Sequence, residues 1–473
     1  MTSQSWHGQW WIATDAAETV PGTLTITEAG EIELQLIGGF DTLTSRDNQG
    51  SKLPRDTSIS LIHGQCESTK ISLLDSYASR TEGFSRRPTR QIFKALRALV
   101  GTHIHNREEP VFKSAQFAFE NLTTFLQRYS FDRSLSTNGE PESVTFTTPE
   151  TLNVSADGWH ISATTFFSGF QSEEKRGSVA ISGESTDYLR VEQGTPETLE
   201  GFDDIAKALM DLLTLASGEA CGVISTSLVL VKPRVHPGDD DGEPFYYPDV
   251  VQLFGQHTHT ARPSDSPQQS LRFRFSCKDM TFNEIVSAWI PLRKRILKAA
   301  DVLFGLDYIR AGFTETRLLS TAIAAESLHA TLYPEITPMT AEKFTDLRQK
   351  VLDAIDDSSE KAWVKAQLHN QASFRERILD LAMKPDAGAV DLIIPDRKEW
   401  ARELTAVRNG LAHTGAGGDV SFDMFDLVQV TTFLIALVMM AELGMSAETQ
   451  IEAVTRNEYL SKIRLVTRPG KTE

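Results

Sequence analysis

The stretch Glu403–Gly418, "ELTAVRNGLAHTGAGG", decides how the C-terminal part of the chain is read. Asp396 follows Pro395 and stands three residues before Glu399. That spacing resembles a capping box and predicts a helix from Asp396 to His413. "TGAGG" (Thr414–Gly418) then reads as a helix stop and turn. Working outward, the same helical texture predicts Thr281–Arg310, Glu315–Leu332, Thr340–Ile355, Glu360–Lys384 and Phe422–Leu443. The part from residue 278 to 473 is therefore expected to be all-α.

Upstream the texture changes. Short alternating or β-branched runs recur: "TLTIT" (Thr23–Thr27), "IELQLIG" (Ile32–Gly38), "SISLIHG" (Ser58–Gly64), "KISLLD" (Lys70–Asp75), "SVTFTT" (Ser143–Thr148) and "VISTSLVLV" (Val223–Val231). Gly, Asn, Asp and Pro punctuate them, the signature of an antiparallel sandwich-like or barrel-like domain. One helix, Leu199–Ser217, is expected within it, and "LRFRFSC" (Leu271–Cys277) reads as its last strand. The fold class is α+β, with residues 1–277 β-rich and 278–473 helical.

The chain has 473 residues and a formal net charge of −17. Most of the acidity lies before Ser276: 24 Lys/Arg against 28 Asp/Glu follow it, and 23 against 36 precede it. The C-terminal part can therefore still present a local basic face to phosphate. The most apolar run, Val428–Met440, is shorter than the ~18–20 residues that span a bilayer and reads as a core helix. No signal peptide is visible, and the three cysteines (Cys66, Cys221, Cys277) have no metal-ligand spacing. Cysteines of this kind fit free thiols in a reducing cytosol, so a cytoplasmic location is the expectation.

Within the opening stretch, Arg408, Asn409 and His413 carry chemistry. A histidine suits general acid–base work, and RNA supplies its own nucleophile in the 2′-hydroxyl. A guanidinium can hold the charge that gathers on the phosphorane. At ~100° per residue, however, Arg408 and His413 lie about 140° apart on a straight helix. They would work together if the helix loosens near Gly410, or if two copies meet across a dimer axis. The bland alternative has His413 capping the helix and Arg408 solvated. Arg97 and His103 show the same spacing in the β-rich part and read as structural.

An all-α C-terminal part closing with Arg408-Asn409-x-x-x-His413 before a long apolar helix resembles a HEPN domain. "RLLSTAIAAESLHATLY" (Arg317–Tyr333) resembles the helix of ApeA-type HEPN proteins that carries a glutamate, here Glu326. Gly8, Trp10-Trp11, "VPGTLTI" (Val20–Ile26), "LQLIGGF" (Leu34–Phe40) and "IHG" (Ile62–Gly64) resemble the N-terminal domain of the same family. The resemblance implies a metal-independent endoribonuclease, dimeric and without cofactor, that acts in abortive anti-phage defence on RNA such as tRNA. It implies a catalytic set of Arg408, Asn409 and His413, with Glu326 orienting Arg408 or pairing with it. The β-rich domain would sense a phage-derived cue or restrain the nuclease. The alternative is a non-catalytic HEPN scaffold with a ligand-binding β-rich domain.

Arg397, Lys398 and Arg402 stand on the same helix and are candidates for RNA phosphate contacts, although a solvated face is the favoured reading. The same holds for Arg293, Lys294, Arg295 and Lys298. On a strand, His103/His105 and His257/His259 would each share a face, but neither pair has the second half of a metal site. Walker, Rossmann, HExxH and Gly-x-Ser-x-Gly patterns are absent. Trp10 and Trp11 read as one core and one edge aromatic rather than a stacking platform, and Asp239–Asp241 as a solvated acidic loop.

Overall fold

The computed structural model describes residues 3–40, 44–46, 52–54, 58–83, 89–139, 141–236, 245–255, 273–309, 312–414 and 422–460. Packing divides the chain into two units. The first comprises Met1–Thr214, Ala220–Gln268 and Thr281–Ser287. The second comprises Leu215–Glu219, Gln269–Met280 and Ala288–Glu473.

The first unit opens with β1 (Gln4–Ile12), β2 (Asp15–Ile26), β3 (Ile32–Ile37), β4 (Thr44–Arg46), β5 (Lys52–Pro54) and β6 (Ser58–Cys66). Next come β7 (Thr69–Glu82), β8 (Arg90–Val100), β9 (Phe112–Phe119), α1 (Leu122–Leu126), β10 (Phe131–Leu135), β11 (Pro141–Phe146) and β12 (Leu152–Ala156). The long pair β13 (Trp159–Lys175) and β14 (Ser178–Glu197), helix α2 (Leu199–Ser217), β15 (Val223–Leu230), β16 (Arg234–His236), β17 (Phe245–Tyr247) and β18 (Val250–Gly255) follow.

The antiparallel architecture takes the barrel form. Strands β8-β3-β2-β1-β6-β7 pair in that order, and β7 pairs back onto β8 to close the ring. The first half of β8 pairs with β3 and its second half with β18. From there the sheet continues through β15, β9, β14 and β13 to β12. Alternation explains the inside of the barrel: Ile32, Leu34 and Leu36 of β3 are buried, while Glu33, Gln35 and Ile37 between and beyond them are less so.

Trp10 fills the barrel and is fully buried, its indole N–H donating to the Gly22 carbonyl at 3.2 Å. Glycines make the room. A Cβ on Gly64 would stand 2.3 Å from Trp10 Cζ3, and one on Gly8 would stand 2.3 Å from the Gln65 carbonyl oxygen. Trp11 points elsewhere and meets the His63 and His103 rings edge-on. The two tryptophans thus divide into one core and one peripheral aromatic.

One expectation is corrected here, and several elements were not foreseen. Residues 273–277 form no strand; Ser276 instead takes part in a turn closed by the Asp279 carboxylate. Several strands escaped the sequence reading, above all β13 and β14, whose distal halves are exposed and carry no inside–outside alternation of burial. The Asp239–Asp241 loop and the His257/His259 pair lie outside the described residues.

The second unit is helical. Its elements are the part of α3 (Phe282–Arg295) from Ala288 onward, α4 (Leu297–Tyr308), α5 (Thr314–Leu332), α6 (Ala341–Asp353) and α7 (Ser358–Gln367). They continue with α8 (Phe374–Leu381), α9 (Ala387–Ile393), α10 (Arg397–Thr414), α11 (Met424–Glu442) and α12 (Ala447–Thr455). The expected helix Thr281–Arg310 is two helices broken at Ile296 (φ −95°, ψ 19°). Glu360–Lys384 is likewise two, because Ser373 and Glu376 form a reciprocal capping box that starts a new helix at Phe374. The short α9 and α12 were not foreseen. Helix α5 packs against α4, α8, α10 and α11. Helix α11 is long and apolar enough to cross a bilayer, but its residues, among them Val430, Leu434, Leu437 and Met440, are buried in this unit.

Candidate active site

Helix α10 presents its residues by simple periodicity. Trp400, Leu404, Val407 and Leu411 recur at helical spacing and are buried. The Trp400 indole N–H donates to Thr431 Oγ1 at 3.3 Å, which ties α10 to α11. The Asp396 carboxylate caps the helix start by accepting from the Lys398 and Glu399 N–H groups at 3.0 and 2.9 Å. With that face fixed, Arg408 comes out half-buried at the edge of the core, and Asn409 and His413 come out exposed.

Three helices meet at Arg408. Its Nη1 donates to Asn409 Oδ1 at 3.0 Å. Its Nη2 lies 3.5 Å from Glu326 Oε2 on α5. Its Cζ stands 5.3 Å from the centroid of the Phe374 ring, the first residue of α8. A guanidinium has five N–H donors, so these partners leave several for an incoming anion. One turn beyond Glu326, buried His329 contacts Asp380 of α8 at 3.0 Å, and Lys384 reaches the same carboxylate at 2.9 Å. Burial pushes the His329 imidazole below its ordinary value, against the opposing effect of Asp380. This contact clamps α5 to α8 and so fixes the position of Phe374.

The structure thus brings Arg408, Asn409 and Glu326 together and leaves His413 apart. Helix α10 is continuous through Gly410. Five residues of regular helix separate Arg408 and His413 by about 140° and roughly 7.5 Å along the axis. The loosened helix near Gly410 is not what this chain adopts.

The flanking basic residues are mostly engaged. Arg402 pairs with Glu399 at 2.5 Å and with Glu403 at 2.9 Å. Arg397 pairs with Asp391 at 2.8 Å, while Lys398 is exposed. Arg293 is buried against Asp301, Arg295 pairs with Glu442, and Lys294 and Lys298 are exposed. In the first unit, Arg97 pairs with Asp203, whereas His103 Nε2 bonds the Gly64 carbonyl at 2.9 Å. That pair of like spacing therefore serves two separate structural contacts. Among the described residues no group of three His, Cys, Asp or Glu is placed to hold a metal ion.

Phe374 was missed because nothing in the sequence around Arg408 points to it. Only the Ser373-x-x-Glu376 capping spacing could have placed a helix start there.

Comparison with known families agrees with this architecture. Residues 5–289 match ApeA N-terminal domain 1, and residues 319–449 match the Apea-like HEPN domain. No curated protein and no solved structure gives a match. The β-rich match alone covers more than half of the chain, and the helical match contains Glu326, Phe374, Arg408 and His413. The chain belongs to the ApeA family of HEPN-domain proteins of anti-phage defence.

Proposed function

We propose that the helical unit is a metal-independent endoribonuclease, active on tRNA or other cellular RNA, that acts in abortive infection. The observation that carries this reading is the Arg408 guanidinium, held by Asn409 and Glu326 on the helix whose exposed end presents His413. In the reaction His413 takes the proton of a 2′-hydroxyl. The 2′-oxygen attacks the adjacent phosphorus, and Arg408 binds the charge that gathers on the non-bridging oxygens. The P–O5′ bond breaks, the leaving 5′-oxygen takes a proton from His413, and a 2′,3′-cyclic phosphate remains. No step requires a metal.

Because α10 is continuous, Arg408 and His413 of one chain do not converge on one phosphate. We therefore assign the working site to two copies of the unit, with Arg408 of one facing His413 of the other in a homodimer. The barrel unit, which carries most of the negative charge, would sense a phage-derived cue or restrain the nuclease in the cytoplasm of an uninfected cell. The rival reading, a non-catalytic HEPN scaffold, draws on the Arg408–Glu326 pair, which would then serve packing alone.

End chemistry separates the two. RNA fragments recovered from phage-challenged cells that make the protein are expected to carry 2′,3′-cyclic phosphate ends. Purified protein active on total tRNA should cut equally well in excess EDTA. Fragments ending in 3′-hydroxyls, or loss of cutting with EDTA, would contradict the mechanism.

A further inference from the structure

We infer that Phe374 is a positioning residue for Arg408, an aromatic floor that fixes the guanidinium plane at which the scissile phosphate is received. The inference rests on the nuclease reading above and deepens it.

The Arg408 guanidinium carbon lies over the ring at 5.3 Å from its centroid, within the ~6 Å over which a cation is drawn to an aromatic face. The ring is itself immobilised. Phe374 is the first residue of α8, and the two reciprocal bonds between Ser373 and Glu376 fix that helix start. The His329–Asp380 contact fastens the same helix to α5, which also brings Glu326. Arg408 is thus bounded by an aromatic face from α8, a carboxylate from α5 and an amide from its own helix.

These contacts divide the work. Glu326 and Asn409 engage the two η nitrogens from the guanidinium edge, whereas the ring constrains its plane. A planar fork can make two parallel bonds to a phosphate only if its plane is set in advance. An arginine free to rotate must spend rotamer entropy each time it meets the phosphorane. Phe374 also belongs to an apolar stripe with Ile378 and Leu381, so a purely packing role is the competing explanation. An aliphatic replacement preserves the stripe and removes the π-face, and so tells the two roles apart.

The test uses full-length protein with F374Y, F374L and H413A. In cells challenged with phage, F374L is expected to cut RNA about three- to thirtyfold more slowly, the range a cation–π contact supports. F374Y should match wild type, and both should melt at the wild-type temperature. In protein labelled with 15N-arginine, the Arg408 Nε–Hε signal, assigned by its loss in R408K, should be shifted by the ring current. That shift should survive in F374Y and vanish in F374L. Should F374L fail to fold, F374M replaces it as the ringless apolar variant.

Full cutting by F374L beside an inactive H413A, or an Arg408 signal unmoved in F374L, would overturn the positioning role and leave the nuclease reading intact. Wild-type cutting by H413A would instead remove the nuclease reading, with the arginine signal still deciding whether the ring holds Arg408.

Discussion

Arg408 and His413 were legible as a pair of residue types at a spacing; their surroundings were not. Glu326 was identified by resemblance to a family helix, whereas Phe374 arrives from a third helix with no sequence mark near the motif. Long-range partners of this kind are set by helix packing, which local pattern does not encode. A second residue-scale cluster, in the barrel unit, carries a pH dependence. The His63 and His103 rings stack at 4.3 Å, and each bonds a backbone carbonyl through Nε2 at 2.9 Å. Burial holds both imidazoles below their ordinary value of 6.5, with His103 and then His105 adding to the effect at His63, and Lys70 at His103. The folded values lie below the unfolded ones. The stability that the neutral pair contributes is therefore full above pH 6.5, and it is lost as pH falls from there through the folded values. Thermal melts are expected to show a smaller drop between pH 7 and 5 for H63Q/H103Q than for wild type. His329 of the helical unit titrates alike in both proteins, so the difference isolates the stacked pair. Equal drops would contradict this assignment.

Among elements, those with strong alternation or long helical periodicity were readable. Leu199–Ser217 coincides with α2, and Ile32–Gly38 differs from β3 by one residue. Exposed or short elements were not, because β13, β14, α9 and α12 carry weak periodic signals or too few residues to show one. Family-like residues in β1 and β6 gain a physical reason from the barrel: Trp10 occupies space that Gly64 vacates. Gly64→Ala would set a methyl 2.3 Å from Trp10 Cζ3 in a filled interior. Overpacking of this kind costs about 1–3 kcal/mol. Urea unfolding followed by tryptophan fluorescence is expected to show the midpoint lowered accordingly, and an unchanged midpoint would refute the account of Trp10 as the barrel's filling residue.

For the whole molecule, the division into a β-rich and a helical part could be read from texture alone, but barrel closure could not. The barrel's long-range pairs, β1–β6 and β3–β8, join residues fifty or more positions apart, such as Gln9 with Gln65 and Leu34 with Phe93. Nor could the sequence decide whether the helix bends to bring Arg408 to His413. A continuous α10 favours pairing across two copies. The most direct measurement is the integrity of total RNA, run on a gel, from phage-challenged cells. The cells would make wild type, R408A, H413A, or R408A and H413A together. Wild type is expected to fragment the RNA, and each single variant to leave it intact. Co-expression should restore part of the cutting, because a mixed dimer rebuilds one site from the Arg408 of one chain and the His413 of the other. Fragmentation by either single variant at the wild-type level would contradict the nuclease assignment. Intact RNA from cells in which the mixed dimer is recovered would contradict the shared site.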